Sequence, residues 1–254
     1  MGTIDPDDIE RATNLLRRSR HAVALTGAGI STPSGIPDFR SPEVGLWEQS
    51  DPMASASIQV FRRDPQAFYD WLRPLAEVSL QADPNPAHRA LARLEQAGVL
   101  KTVVTQNIDG LHQRAGSENV VELHGDMREA ACTSCGRTYR ADQFIDDLLE
   151  AGEVPRCPEC GGVLKPNIVL FGEQLPTGAI ELAFEQANQA DVLLVAGSSL
   201  EVTPASMIPR TAYESGADVI VVNLTPTYID RVAEVVIRAD VAEALPRIAE
   251  ACLE

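Results

Sequence analysis

The chain is poor in lysine. Of its 254 residues only Lys101 and Lys165 are lysines, and 37 acidic residues against 21 lysines and arginines leave a net charge of −16. A surface this acidic repels nucleic-acid phosphates and anionic lipid heads and attracts basic partners, which argues against direct nucleic-acid binding and against a membrane role. The same surplus also reads as a solubility device or an adaptation to high salt, and these readings stay open beside substrate steering. No apolar run approaches the roughly 20 residues that span a bilayer. The start, Met1-Gly2-Thr3-Ile4-Asp5-Pro6, lacks the basic and apolar regions of a signal peptide, so a cytoplasmic location is expected. Disulfides are not expected either. Four of five cysteines fall in two Cys-x-x-Cys pairs, a spacing that favours metal in such a chain, and Cys252 is left over as a packed helical residue.

What remains is an ordinary globular composition, 44% hydrophobic and 23% charged, long enough for one large domain and a small appendage. Short apolar, β-branched runs at Ala22–Thr26, Thr102–Thr105, Val120–Leu123, Ile168–Leu170, Val192–Ala196, Val219–Val222 and Val235–Ile237 read as strands covered on both faces. Asp5-Pro6, Asp64-Pro65 and Asn85-Pro86 are helix-start signatures, and further helices fit Asp109–Ala115, Thr177–Gln189, Pro204–Ser215 and Val241–Cys252. This alternation implies an α/β protein with a Rossmann-like, mainly parallel sheet and helices on both faces. Two insertions interrupt it, and they are expected to build a small zinc-ribbon and helical domain. The expected division is 1–40, 85–126 and 166–254 for the nucleotide-binding domain, with 41–84 and 127–165 forming the small one.

Gly27-Ala28-Gly29 follows a strand directly, which suits a backbone approaching a pyrophosphate closely, though a plain structural turn has the same residues. Position 32 is Thr, so the third glycine of the common dehydrogenase fingerprint is absent. Gly197-Ser198-Ser199, Asn223-Leu224-Thr225 and Gln106-Asn107-Ile108-Asp109 follow other strands, where an open parallel sheet binds its ligands. Each is also compatible with a capped turn. Cys132/Cys135 and Cys157/Cys160 form two knuckles able to close a tetrahedral site of four thiolates, with no position left for catalysis. Zinc is expected there, with iron and a redox dithiol as alternatives. His124, at a strand end, is either a satisfied structural histidine or a general base; His21, His88 and His112 read as structural.

In this order, the segments Gly27-Ala28-Gly29-Ile30-Ser31, Gly35-Ile36-Pro37-Asp38-Phe39-Arg40, Thr105 to His112, His124-Gly125, the four cysteines, Val169-Leu170-Phe171-Gly172-Glu173, Gly197-Ser198-Ser199 and Asn223-Leu224 resemble the sirtuin family of NAD-dependent protein deacylases. The resemblance covers about residues 10 to 245. It implies that Gly27, Ala28, Gly29 and Ile30 cradle the pyrophosphate of NAD and that Phe39 covers the nicotinamide ribose. Asp38 and Arg40 would organise the cofactor loop, with Ser41 to Gly45 as its flexible continuation. Ile108 and Asp109 would hold the carboxamide, Gln106 and Asn107 the ribose, and Ser198 and Ser199 the phosphate. Asn223 would meet the adenine-side ribose, and Gly197, Leu224 and Val241 complete the cofactor set. Val169, Phe171, Gly172 and Glu173 would clamp the substrate peptide as an added strand.

The chemistry the resemblance implies consumes NAD. The acyl oxygen of a modified lysine displaces nicotinamide, and His124, with Asn107 beside it, serves the transfer of the acyl group to ADP-ribose. Members of the family that prefer acidic acyl groups resemble each other in a Tyr-x-x-Arg pair. Here Tyr69 is followed by Leu72, with Arg73 one position off, so acetyl or longer apolar groups are expected rather than succinyl. The expected partner is acetylated lysine in basic protein segments. An ADP-ribosyltransferase and a non-enzymatic nucleotide sensor are the alternatives.

Overall fold

A computed structural model describes residues 4–38 and 52–254. The first helix, α1 (Pro6–Arg18), begins where its sequence says it should: the Asp5 carboxylate accepts from Asp7 N at 3.0 Å and Pro6 opens the first turn. Such a cap is worth about 1 kcal/mol. Ala12, Leu15 and Leu16 are the buried stripe of this helix.

Six strands make one parallel sheet: β1 (Ala22–Thr26), β2 (Leu100–Thr105), β3 (Val120–Glu122), β7 (Val192–Ala196), β8 (Asp218–Val222) and β9 (Val235–Ile237), in the order β3-β2-β1-β7-β8-β9. Alternate side chains enter opposite cores, as the pleat requires. Ala22 and Ala24 join Leu16 of α1, Leu91 and Leu94 of α4 (Pro86–Gln96) and Leu245 and Ile248 of α7 (Val241–Leu253) on one face. Val23 and Leu25 join Ala183 and Ala187 of α5 (Thr177–Gln189) and Ile208 and Ala212 of α6 (Ile208–Glu214) on the other. Burial on both faces explains the unbroken apolar runs, and each wholly buried leucine there stabilises by roughly 1.5–3 kcal/mol.

Two smaller cores lie apart from those of the parallel sheet. Helices α2 (Ile58–Arg63) and α3 (Pro65–Gln81) pack Phe61, Phe68, Tyr69 and Leu72 with Leu148, Ile168 and Leu170. A three-stranded antiparallel sheet, β5 (Thr138–Arg140), β4 (Gly125–Cys132) and β6 (Leu164–Ile168), carries the cysteines.

Two expectations need correction. Ile168–Leu170 is not a strand of the parallel sheet: the strand is Leu164–Ile168, antiparallel to β4. Its burial alternates, with Leu164, Pro166 and Ile168 inward and Asn167 exposed, so it is half-buried and the uniformly apolar reading does not apply. The helix expected from Asp109 starts only at Leu111, because Gly110 precedes it in the left-handed region at φ 70°.

Candidate active site

In the strand order β2-β1-β7, the chain turns to opposite sides after β1 and β7, and a cleft of about 630 Å³ opens at their carboxyl ends. This is the position at which open α/β sheets take their ligands. Gly27, Ala28 and Gly29 form one wall and Gly197, Ser198 and Ser199 the facing one. Gln106, Asn107 and His124 close one end; Asn223, Leu224, Thr225 and Val241 the other. Among the described residues the wall carries no lysine or arginine, and its charged groups are Asp38, Glu201 and Asp240.

The two glycine turns are in direct contact. Gly29 N donates to Gly197 O at 2.9 Å, and Gly197 N donates to Val222 O at 3.1 Å. Gly197 has φ 61°, and a Cβ there would lie 2.3 Å from Ile30 N and 2.6 Å from Gly29 C. Only glycine satisfies both the torsion and the approach. Ile30 itself points away from the cleft and is wholly buried in the core, so its share in the cradle is its backbone.

His124 stands just after β3. Its Nδ1 lies 2.7 Å from Gln106 O. A carbonyl only accepts, so Nδ1 carries the proton and Nε2 of the neutral ring is the acceptor. Burial lowers its pKa below the ordinary histidine value and so keeps the ring neutral near pH 7, an effect that the Gln106 hydrogen bond partly opposes. Gln106 in turn donates from Nε2 to Ser198 Oγ at 2.9 Å, bridging the two walls.

Beside it, Asn107 Nδ2 donates to Gly27 O at 3.1 Å and to Ser31 Oγ at 3.0 Å, and Ser31 Oγ donates to Asp109 Oδ2 at 2.6 Å. His88 Nδ1 accepts from Asn85 N, so its Nε2–H faces Ser31 Oγ at 3.4 Å. His112 packs edge-on to His88 with ring centroids 4.9 Å apart, and its Nε2 contacts Thr26 Oγ1 at 2.9 Å. Burial drives His88 down to about 4, against the attraction of Asp109, and His112 down to about 3. Both stay neutral and serve as scaffold. The Asp109 carboxylate is therefore engaged with Ser31 and, at 2.9 Å, with Leu111 N, while Ile108 packs at the edge of the Phe61–Phe68 core rather than on the cleft wall.

Val169, Phe171, Gly172 and Glu173 lie on a strap outside the cleft. Val169 N donates to His124 O at 2.9 Å; Phe171 N donates to Ala56 O and Phe171 O accepts from Ile58 N, each at 3.0 Å. The strap thus joins the backbone of His124 to the segment before α2. Glu173, expected against the peptide, has Oε2 committed inward to Leu170 N and to Lys165, both at 2.9 Å.

The four cysteine sulfurs lie within 4.8 Å of one another, with Cys132–Cys160 at 3.5 Å and Cys135–Cys157 at 3.7 Å. Tetrahedral zinc with Zn–S of about 2.3 Å places its sulfurs about 3.8 Å apart, so the set fits zinc. Gly136 and Gly161, at φ 73° and 72°, turn the two knuckles. The same four thiolates need no fifth ligand, and His124 belongs to the cleft instead.

The structure thus brings Gly27, Ala28, Gly29, Asp38, Gln106, Asn107, His124, Gly197, Ser198, Ser199, Asn223, Leu224 and Val241 to one cleft. Phe39, Arg40 and the Ser41 to Gly45 continuation lie outside the described residues. Sequence reasoning missed Glu201 and Asp240 on the wall and the tie of Ser31 to Asp109. The first two carry no local signal; Ser31 stood inside a quoted motif, and only the fold shows its partner.

A parallel sheet with a ligand cleft at its topological switch, beside a four-cysteine ribbon, defines a nucleotide-binding α/β protein with a structural zinc module. The family model described as the Sir2 family matches residues 27–204. The NAD-dependent protein deacylase 2 of Archaeoglobus fulgidus is 48% identical over 96% of each chain, and the NAD-dependent protein deacetylase of Sulfurisphaera tokodaii 47% identical over 96% of this chain and 95% of that one. A solved Sir2 histidine-to-alanine variant with deacetylated p53 peptide and 3′-O-acetyl-ADP-ribose superposes with a TM-score of 0.90 at 42% identity, covering 95% of this chain and 97% of that one. The chain belongs to the Sir2 family.

Proposed function

We propose that the chain is an NAD-dependent protein-lysine deacetylase that moves the acyl group onto ADP-ribose and releases nicotinamide. The observation that carries this reading is His124: a neutral imidazole on the cleft wall, its Nδ1–H fixed on Gln106 O. NAD, when bound, would supply the anomeric carbon at which the acyl oxygen replaces nicotinamide, and the ribose that carries the acyl group once the bond to the lysine nitrogen breaks and water enters. His124 Nε2 would take the proton from the ribose hydroxyl as it bonds to the acyl carbon, the lysine nitrogen leaving as the amine, and Gln106 O would stabilise the imidazolium through Nδ1–H. Gly27 to Gly29, Gly197, Ser198 and Ser199 meet the phosphates with main chain and hydroxyls, Asn107 and Gln106 meet the nicotinamide-side ribose, and Asn223, Leu224 and Val241 the adenosine end. Phe39 and Arg40 belong to the same site in this reading, and Val169, Phe171 and Gly172 hold the peptide. The division into 1–40, 85–126 and 166–254 against 41–84 and 127–165 is the corresponding domain proposal.

The preferred peptides carry acetyl-lysine in basic segments, which the net charge of −16 draws in, and a cytoplasmic setting suits both. No described helix is long and apolar enough to cross a membrane. Longer apolar acyl groups are a second reading, supported by the apolar core of Ile58, Phe61, Phe68, Leu72 and Leu170 beside Ile108. Succinyl is disfavoured: Tyr69 is buried with its hydroxyl donating to Leu164 O at 2.6 Å, and Leu72 offers no counter-ion to a carboxylate.

Mass spectrometry of an acetyl-lysine peptide incubated with the protein, with and without NAD, tests the proposal. Deacetylated peptide matched by nicotinamide and O-acetyl-ADP-ribose, only with NAD, is the expected result. Label from NAD retained on protein, with the acetyl group intact, would favour ADP-ribosyl transfer instead.

A further inference from the structure

The strap from Ile168 to Glu173 is clipped at its two ends by the ion pair of Lys165 and Glu173. Lys165, on β6, places Nζ 2.7 Å from Ile168 O and 2.9 Å from Glu173 Oε2. The same Oε2 accepts from Leu170 N at 2.9 Å, and Glu173 N donates to Leu170 O at 2.9 Å. Both side chains are largely buried, at 17% and 26% exposure. One ammonium and one carboxylate therefore tie the two ends of a six-residue turn.

The positions that this clip governs are those that matter to a peptide. Val169 N is bonded to the backbone of His124 and Phe171 to Ala56 and Ile58, so the strap cannot shift without pulling on both. Gly172, at φ 88°, sits over the side chain of Gln59, and a Cβ there would meet it at 3.1 Å. An ammonium held by a carbonyl and a half-buried carboxylate is screened less than a surface pair, so the clip keeps its effect in salt.

We propose that Lys165 and Glu173 are positioning residues for the acylated peptide, fixing the strap at the distance from His124 that the peptide strand requires. Neither side chain lines the cleft. The inference rests on the deacylase reading above. It assigns Glu173 a role through Lys165 in place of direct contact with the peptide.

The expected signature is a split in kinetic constants. Lys165→Met raises KM for an acetyl-lysine peptide about tenfold, corresponding to about 1.4 kcal/mol, while kcat at saturating peptide and KM for NAD stay within about twofold. Lys165→Arg, which keeps the charge, recovers most of the loss, and Glu173→Gln reproduces it. NAD affinity measured by calorimetry without peptide stays unchanged in all three. If Lys165→Met fails to fold, Glu173→Gln, which retains an acceptor for Leu170 N, carries the comparison. A fall in kcat or in NAD affinity with peptide KM unchanged, or no change in any constant, overturns the proposal. Absence of deacylation in the unsubstituted protein would sink the deacylase reading instead, so the two failures are distinguishable.

Discussion

Nδ1 of His124 lies 2.7 Å from the carbonyl oxygen of Gln106, and this contact fixes which ring nitrogen can act. A proton on Nδ1 leaves Nε2 to accept, and the bond is made by backbone, so no side-chain substitution at Gln106 removes it.

His124→Ala should lower kcat/KM for deacetylation by about 10²-fold or more, the usual weight of a positioned general base. The working form is neutral and burial lowers its pKa, so activity falls as pH falls through a value below the ordinary 6.5. A pH profile of kcat/KM checks this; an acid limb centred well above 6.5 would assign the titration to another group.

Gly197→Ala adds a methyl where Ile30 N is 2.3 Å away. The two glycine turns must separate, and NAD affinity measured by calorimetry should drop by more than tenfold, with a lower melting temperature. Gly98→Ala is the control: its φ is 75° but nothing lies within 4 Å of the added atom, so it should cost only about 1 kcal/mol and leave NAD binding intact. Equal effects from both would mean that torsion, not contact, sets the requirement.

Elemental analysis should find one zinc per chain. Cys157→Ser, or a strong chelator, should release it and unfold the β4-β5-β6 ribbon while the parallel sheet, whose cores contain none of the four cysteines, keeps its far-ultraviolet signal. A variant that retained stoichiometric zinc would contradict the four-thiolate assignment.

His88 and His112 link stability to pH. Both have folded pKa values depressed below the unfolded 6.5, to about 4 and about 3, so the unfolded chain takes up protons first as pH falls. Their stabilising effect is complete above 6.5 and is lost on acidification, by up to about 1.4 kcal/mol per pH unit for each ring. Between pH 6.5 and 5 ordinary carboxylates remain ionised, so denaturation midpoints measured across that window isolate the histidines. His112→Asn should flatten the slope; an unchanged slope would exclude His112 as a source.

Much of this was legible in the sequence, for a physical reason. A parallel sheet buried on both faces demands continuous apolar runs, and β1, β7 and β9 stand where those runs stop. The glycine turns after β1 and β7 and the paired cysteines are short-range patterns, set by torsion and by ligand spacing. Long-range partners were not legible. Nothing local tells that Ser31 meets Asp109, that Glu173 turns to Lys165, or that the strand at 164–168 joins the ribbon, because each depends on how separate segments pack.

Both lysines of the chain already have employment. Lys101 Nζ donates to Gly98 O at 2.7 Å from the surface, and Lys165 is tied into the strap. Reactive acyl donors that attack amines indiscriminately thus find one exposed lysine side chain among the described residues, Lys101 at the start of β2, whereas His124 follows the end of β3. A protein whose proposed work is to clear acyl marks from others offers few lysines on which to carry such marks itself.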